Sequence, residues 1–457
     1  MKNSIGYFTP SSCSSKTVWL TILFFPISTV FATISLAQGP KDSRNTVFTG
    51  VVSDAVNGRL IDSVSVSVGG VTTRSNAQGV FTLEIPAKKS AVPKDYVLTF
   101  TRNNYNTLKR TVSVENGQRV DAKMKSPYPL RNILHLFTAP GIPERGPHES
   151  SPTPACANAT VVPDLIGGQL GRHNFIYIGE NNRRICVVID GKLAWHYDTE
   201  NDWEDDEIWL LSNGNILHAH MKYIEEITPK KEIVWRYDSP KGTEIHTCQP
   251  IGVDKVLFLQ NQSDVAIVKL YNKVTGKYEI EKELTGLGKG PHGQCRRFRM
   301  TSKGTYVAGT LGSHTFYEYD KDFNLIWTHD PGSMWGGVPL KNGNYLFQRE
   351  NATTSVEINR AGEIVWQVSI ADIQDQLIKL APKTGKITAT QTCERLSNGN
   401  TVMFTRFCDA GLPQAIEITP DKKVVWILQD WKHLGDSVSA QFLDEPGYPE
   451  VPGETNH

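Results

Sequence analysis

The sequence predicts an all-β protein, a six-bladed β-propeller preceded by a small β-sandwich. Three observations carry this. A short apolar strand ending in tryptophan recurs at Trp195, Trp235, Trp327, Trp366 and Trp426. A turn of the form Leu-x-Asn-Gly-Asn recurs at 211–215, 340–344 and 396–400. The tryptophans stand about 40 residues apart, with one gap of about two repeats and one lengthened by an insert at 371–386, and this is the repeat length of a four-stranded propeller blade. Asn-Gly between β-branched runs is the strongest short hairpin signal, and it predicts a type I′ turn with φ > 0 at both central residues.

The elements follow in chain order. Residues 18–37 are almost wholly apolar, follow Lys2 and Lys16, and end in Ser35-Leu36-Ala37. Residues 1–37 therefore read as a cleaved signal peptide, which predicts a periplasmic or extracellular protein with no stable membrane span after cleavage. Residues 46–125 read as the β-sandwich: Val64–Val68 alternates with period two, and Asn57-Gly58 and Gln78-Gly79 mark turns. Residues 126–165 are rich in proline, which removes ladder donors, and read as a linker or surface strap. Residues 166–457 hold the repeats. Innermost strands are expected near Asp206, His246, His292, Trp335, Gln391 and Ser437. The chain enters the repeats with three strands and leaves with one, so the last strand, near 438–443, should complete the first blade and close the ring. The tryptophans are read as wedges between blades, each burying on the order of 200 Å2.

Lys plus Arg and Asp plus Glu each number 48, scattered along the chain, which gives no footprint for a nucleic acid backbone. Outside the signal peptide six cysteines remain: Cys156, Cys186, Cys248, Cys295, Cys393 and Cys408. None are spaced for zinc, and an exported chain can oxidise them. No phosphate loop, dinucleotide fingerprint or nucleophile elbow is present, and no cofactor is expected.

Chemistry is expected at one face of the disk. Successive strands are antiparallel, so innermost-strand starts and second-strand ends converge at one channel mouth. The starts supply Asp205, Asp206, His246, His292, Gln294 and Gln391; the ends supply His218, His220, Gln260, Asn261, His314, Arg349 and Arg406. Imidazole is a nucleophile or proton carrier near neutral pH, and guanidinium pairs with sulfate, phosphate or carboxylate. His246 and His292 are the catalytic candidates. Arg349, Arg406, Asp206, Gln391 and His220 are the substrate-binding candidates. His218 and His220 share a strand face and could clamp a metal, but the spacing alone assigns no metal ligand.

Two family resemblances bear on this reading. Gly50-x-Val52-x-Asp54, the Val64–Val68 strand and Gly79-x-Phe81 resemble the carboxypeptidase regulatory-like (transthyretin-like) domain. The phrases Trp235…His246…Gly252, Trp327…Leu340-Lys341-Asn342-Gly343-Asn344 and Trp366…Leu396-Ser397-Asn398-Gly399-Asn400 resemble the bacterial arylsulfotransferases over residues 170–445. That resemblance implies an exported six-bladed propeller moving a sulfuryl group from an aryl sulfate to a phenol. A transiently sulfated histidine carries the group, and an arginine binds the sulfate. His246 or His292 would match the histidine, and Arg349 or Arg406 the arginine. The chain departs from the family in lacking a His-Asp pair before its turns and in carrying Gln391 where a further histidine is expected. The partner is then a small sulfate ester. The alternatives are a non-catalytic propeller binding an anionic glycan or a protein, and a polysaccharide lyase or hydrolase.

Overall fold

The computed structural model describes residues 45–87, 95–113, 118–148, 173–179, 183–200, 204–330, 336–349, 353–380, 387–405, 412–430, 434 and 439–457. Residues 1–37, expected to be a signal peptide, and Cys156, Cys408, Trp335 and Arg406 lie outside them. No helix among the described residues is long and apolar enough to cross a membrane.

Six four-stranded antiparallel sheets form the propeller. Blade 1 holds Phe175–Ile178, Arg184–Ile189 and Lys192–Asp198, completed on its inner side by Ser439–Phe442. That last strand pairs Ser439 with Ile178 and Phe442 with Phe175, so the ring closes as the strand count requires. Blades 2 to 6 run outward from Asp205–Leu210, Glu244–Ile251, Cys295–Met300, Gly337–Pro339 and Thr390–Arg395. The insert in blade 6 begins with an α-helix, Ile370–Leu380, that buries Ile370, Ile373 and Leu377.

The tryptophans seal neighbouring blades. Trp195 is buried and its Nε1 donates to the Pro229 carbonyl of blade 2 at 2.8 Å. Trp366 repeats the contact between blades 5 and 6, donating to the Pro420 carbonyl at 3.0 Å. The Asn-Gly turns differ from expectation. The Leu211 carbonyl accepts from Gly214 N, Leu211 N donates to Asn215, and only the glycine has positive φ (Gly214, 100°). Gly343 and Gly399 repeat this pattern. Each is therefore a type I turn followed by a left-handed bulge residue, not a type I′ turn. The Asn213 side chain explains why: its Oδ1 accepts from Asn215 N at 2.9 Å, which holds the asparagine in the turn with ordinary φ.

The sandwich packs one sheet of Val80–Ile85, Thr46–Asp54 and Ala122–Met124 on another of Val71–Arg74, Ser65–Val68, Asp95–Thr101 and Leu108–Ser113. Phe48, Val66, Phe81 and Phe100 fill its core. Within the proline-rich stretch a 3-10 helix, Leu130–Phe137, buries Leu130, Ile133 and Phe137 against Trp195 and Ile208 of the propeller.

The segment 443–457 winds over the face opposite the inner-strand starts. Glu450 accepts from Ser212 Oγ of blade 2 at 2.8 Å, and its carbonyl from Gly252 N of blade 3 at 2.8 Å. Asn456 accepts from Lys341 N of blade 5 at 3.2 Å and donates to the Arg395 carbonyl of blade 6 at 3.1 Å. His457 then enters the channel, donating to the Ile208 carbonyl at 2.8 Å and meeting Glu394 at 2.6 Å. The turn residue Asn57 of the sandwich docks on Ser212 at the same face.

Candidate functional site

Inner strands are buried on both sides, yet four of the six carry charged or amide residues near their starts. The pairing shows why they face the channel. Each of these strands has a bulge at the same place: Asp205/Glu207 in blade 2, Ile245/Cys248 in blade 3, Cys295/Arg297 in blade 4 and Thr390/Cys393 in blade 6. A bulge leaves an extra residue unpaired and re-aims its side chain. The residues so released are Asp206, His246, Arg296 and Gln391, the last two being the blade 4 and blade 6 counterparts of His246. His292 is four residues earlier, in a 3-10 turn, Pro291–Gly293, rather than on the strand itself. Asn261 at the end of the second strand of blade 3 fixes that turn, donating to the Pro291 carbonyl at 2.8 Å.

Three of the candidates meet. His246 is fully buried, with Nδ1 2.8 Å from Asp206 Oδ2 and Nε2 2.9 Å from Glu244 Oε2. His292, half exposed, places Nδ1 3.2 Å from the same Glu244 oxygen. Arg296 lies between them, Nη1 2.7 Å from His246 Nδ1 and Nη2 2.7 Å from His292 Nε2. Glu204 completes the group, its Oε2 2.9 Å from Arg296 Nη1.

Donor chemistry fixes the protons on His292. A carboxylate only accepts and a guanidinium only donates. His292 therefore carries hydrogen on Nδ1, facing Glu244, and a lone pair on Nε2, facing Arg296. For His246, burial and the Arg296 charge push the pKa down, but Asp206 and Glu244 outweigh them and raise it. Asp206 and Arg296 both approach the His246 Nδ1, and Glu244 faces its Nε2. Burial pushes the Glu244 carboxyl up, and its bonds to the two histidines bring it well below the usual carboxylate range. Asp206 is likewise lowered, mainly by His246, against the cost of burial. The carboxylates also make two groups with the geometry to hold a cation, Glu244–His246–His292 and Glu204–Asp206–His246. Arg296 supplies the positive charge that both groups face.

The other candidates sit elsewhere. His220 stacks on Tyr223 (ring centroids 4.3 Å) and its Nδ1 accepts from Lys222 N. His218 lies 3.7 Å from Asp205 and 3.5 Å from Glu225, ion-pair rather than hydrogen-bond distances. Burial opposes its charge, and the two carboxylates overcome that and lift its pKa to about 9. Arg349 Nε has no hydrogen-bond partner among the described residues, and the Arg349 charge adds to burial in lowering the pKa of His329. Gln391 is fully buried, and neither amide atom has a partner among the described residues. Deeper in the channel Glu207 is bound by Arg299 at 2.9 Å and by Arg297. Cys186, Cys248, Cys295 and Cys393 are buried, the last three as free thiols, and burial pushes Cys186, Cys295 and Cys393 up to about 12.

Sequence reading did not single out Glu204, Glu244 or Arg296. Glu244-Ile245-His246 and Cys295-Arg296-Arg297 place charges in strands that are otherwise buried, and that contradiction was the available signal.

No protein-family model matches the chain, and no curated protein does. Among solved structures, a protein of unknown function from Bacteroides caccae is similar at 21% identity and a TM-score of 0.51, covering 59% of this chain and 97% of that one. A virginiamycin B lyase from Staphylococcus aureus is similar at 10% identity and a TM-score of 0.41, covering 63% of this chain and 97% of that one. The first likeness bears on the fold alone: both chains are propellers.

Proposed function

We propose that the chain is an exported transferase that moves a sulfuryl group from an aryl sulfate to a phenol at its channel mouth, behind a carboxypeptidase regulatory-like sandwich. The observation that carries this reading is the pair of His292 Nε2 and Arg296 Nη2, 2.7 Å apart, with the opposite His292 nitrogen tied to Glu244. A nucleophilic lone pair lies beside an oxyanion donor, in the tautomer the reaction needs. Glu204 supports it further. Its carboxylate already occupies the place an ester oxyanion would take, 2.9 Å from Arg296, 3.8 Å from His292 and 3.9 Å from His246. Arg296 takes the clamp that the sequence suggested for Arg349 or Arg406. His246, with both nitrogens engaged, positions the group.

In this reading His292 Nε2 attacks sulfur, the sulfur–oxygen bond to the donor aryl breaks, and the phenolate leaves. The acceptor oxygen then attacks sulfur, the nitrogen–sulfur bond breaks, and the acceptor's proton passes to the donor phenolate. Arg296 must turn from Nε2 onto the ester oxygens for the first step. The test is release of nitrophenolate from nitrophenyl sulfate with phenol as acceptor. His292→Ala should abolish it, and Arg296→Lys should slow it by about a hundredfold. Absence of turnover in the native chain, with sulfate binding unchanged in Arg296→Ala, defeats the reading. An unsaturated uronide absorbing in the ultraviolet reassigns the pair to a lyase.

A further inference from the structure

A second site lies outside the channel. A cleft of about 670 Å3 opens between the sandwich loops and the 3-10 helix Leu130–Phe137. A neighbouring hollow of about 340 Å3 shares Ser63, Arg102 and Asn103 with it and adds Arg74. Together they form one groove along the sandwich. Four guanidiniums line it, Arg59, Arg74, Arg102 and Arg131, against one acid, Asp62. In a chain whose formal charge is zero, this is a concentrated positive stripe.

Two of these groups are held in place. Arg102 Nη2 pairs with Asp62 at 3.0 Å, while its Nε is buried with no partner among the described residues. Arg131 Nε is held by Asp444 at 3.1 Å, and its guanidinium lies over the Tyr128 ring at 4.7 Å. Asn103, Asn104 and Ser63 add amide and hydroxyl groups at the rim.

We propose that this groove binds an anionic polysaccharide. Guanidinium forks match the sulfate or carboxylate oxygens of such a chain, and amides and hydroxyls match its sugar hydroxyls. A single-stranded nucleic acid fits less well, because it needs a run of exposed rings on which bases stack, and among the described residues the lining offers a part-buried Tyr105 and the His135 imidazole. The inference stands on the groove and is independent of turnover at His292.

Affinity electrophoresis of the full chain tests it. Dextran sulfate in the gel should retard the protein, neutral dextran should not, and added salt should weaken the effect. Arg74→Gln with Arg102→Gln should weaken binding about tenfold or more, with an unchanged melting temperature. Arg74 is exposed, so Arg74→Gln alone should fold normally and still bind more weakly. Undiminished retardation in both variants, equal retardation by neutral dextran, or tighter binding to polyuridylate than to dextran sulfate overturns the proposal.

Discussion

Glu204 shows how one side chain sets what a site admits. Its carboxylate holds Arg296 and stands near both histidines, so an incoming oxyanion must displace it. Glu204→Gln keeps the shape and removes the charge. Titration calorimetry with inorganic sulfate should show tighter binding to this variant than to the native chain, by about tenfold. Equal affinities would mean that Glu204 does not compete for the seat. His218 makes a separate statement at the same scale. Its folded pKa, about 9, lies above the ordinary imidazole value of 6.5. The charged form is therefore favoured by folding, and its stabilising contribution is full below about pH 6.5 and lost as pH rises through about 9. Denaturation midpoints between pH 6 and 10 should fall in the native chain and fall less in His218→Gln.

At the level of elements, the turn that joins inner and second strands is the repeated unit, and its glycine is tested differently in different blades. Gly214 has φ of 100°, and a Cβ there would lie 2.6 Å from Leu136 Cδ1 of the 3-10 helix. Gly343 has φ of 87° and open space around it. Gly343→Ala therefore pays only backbone strain, about 1 kcal/mol. Gly214→Ala adds a clash and should lower the urea midpoint further. Equal losses would show that the helix does not hold Leu136 against this turn. The bulges are the other repeated device. One extra residue in four of the six inner strands turns Asp206, His246, Arg296 and Gln391 out of the ladder. That device was not legible in the sequence, because a shift of one residue exchanges the two faces of a strand and leaves no trace in composition. Arg296 was passed over for this reason, while His292 was noted but placed on the strand instead of the turn before it.

Over the whole molecule, the segment 443–457 ties the sandwich and the blades together. Tyr448 donates to Asp54 at 2.8 Å and accepts from Ser126 N at 2.8 Å, while Glu450 reaches blades 2 and 3. Burial lifts the Glu450 carboxyl to about 7. Its protonated form is favoured by folding, so its contribution is full below about pH 4.5 and lost as pH rises through about 7. Glu450→Gln should flatten the stability profile across that window, so that the variant gains on the native chain between pH 4.5 and pH 9. An unchanged slope between pH 4.5 and 7 would show that the group is not desolvated in the folded chain.

The sequence by itself determined the ring. Blade count, the tryptophan wedges and closure by the last strand are written in a period along the chain, because each blade is built from neighbours in sequence. His246, His292 and Asp206 were also legible, since a polar residue at the start of an apolar strand has few places to go. Tertiary structure alone decided which groups meet them. Arg296, Glu204 and Glu244 reach the histidines from three blades, and the proton on His292 is set by partners 48 residues before it and 4 after it. Contacts across a closed ring depend on the rotation of each sheet about the channel and on the local bulges, and neither is encoded in any one repeat.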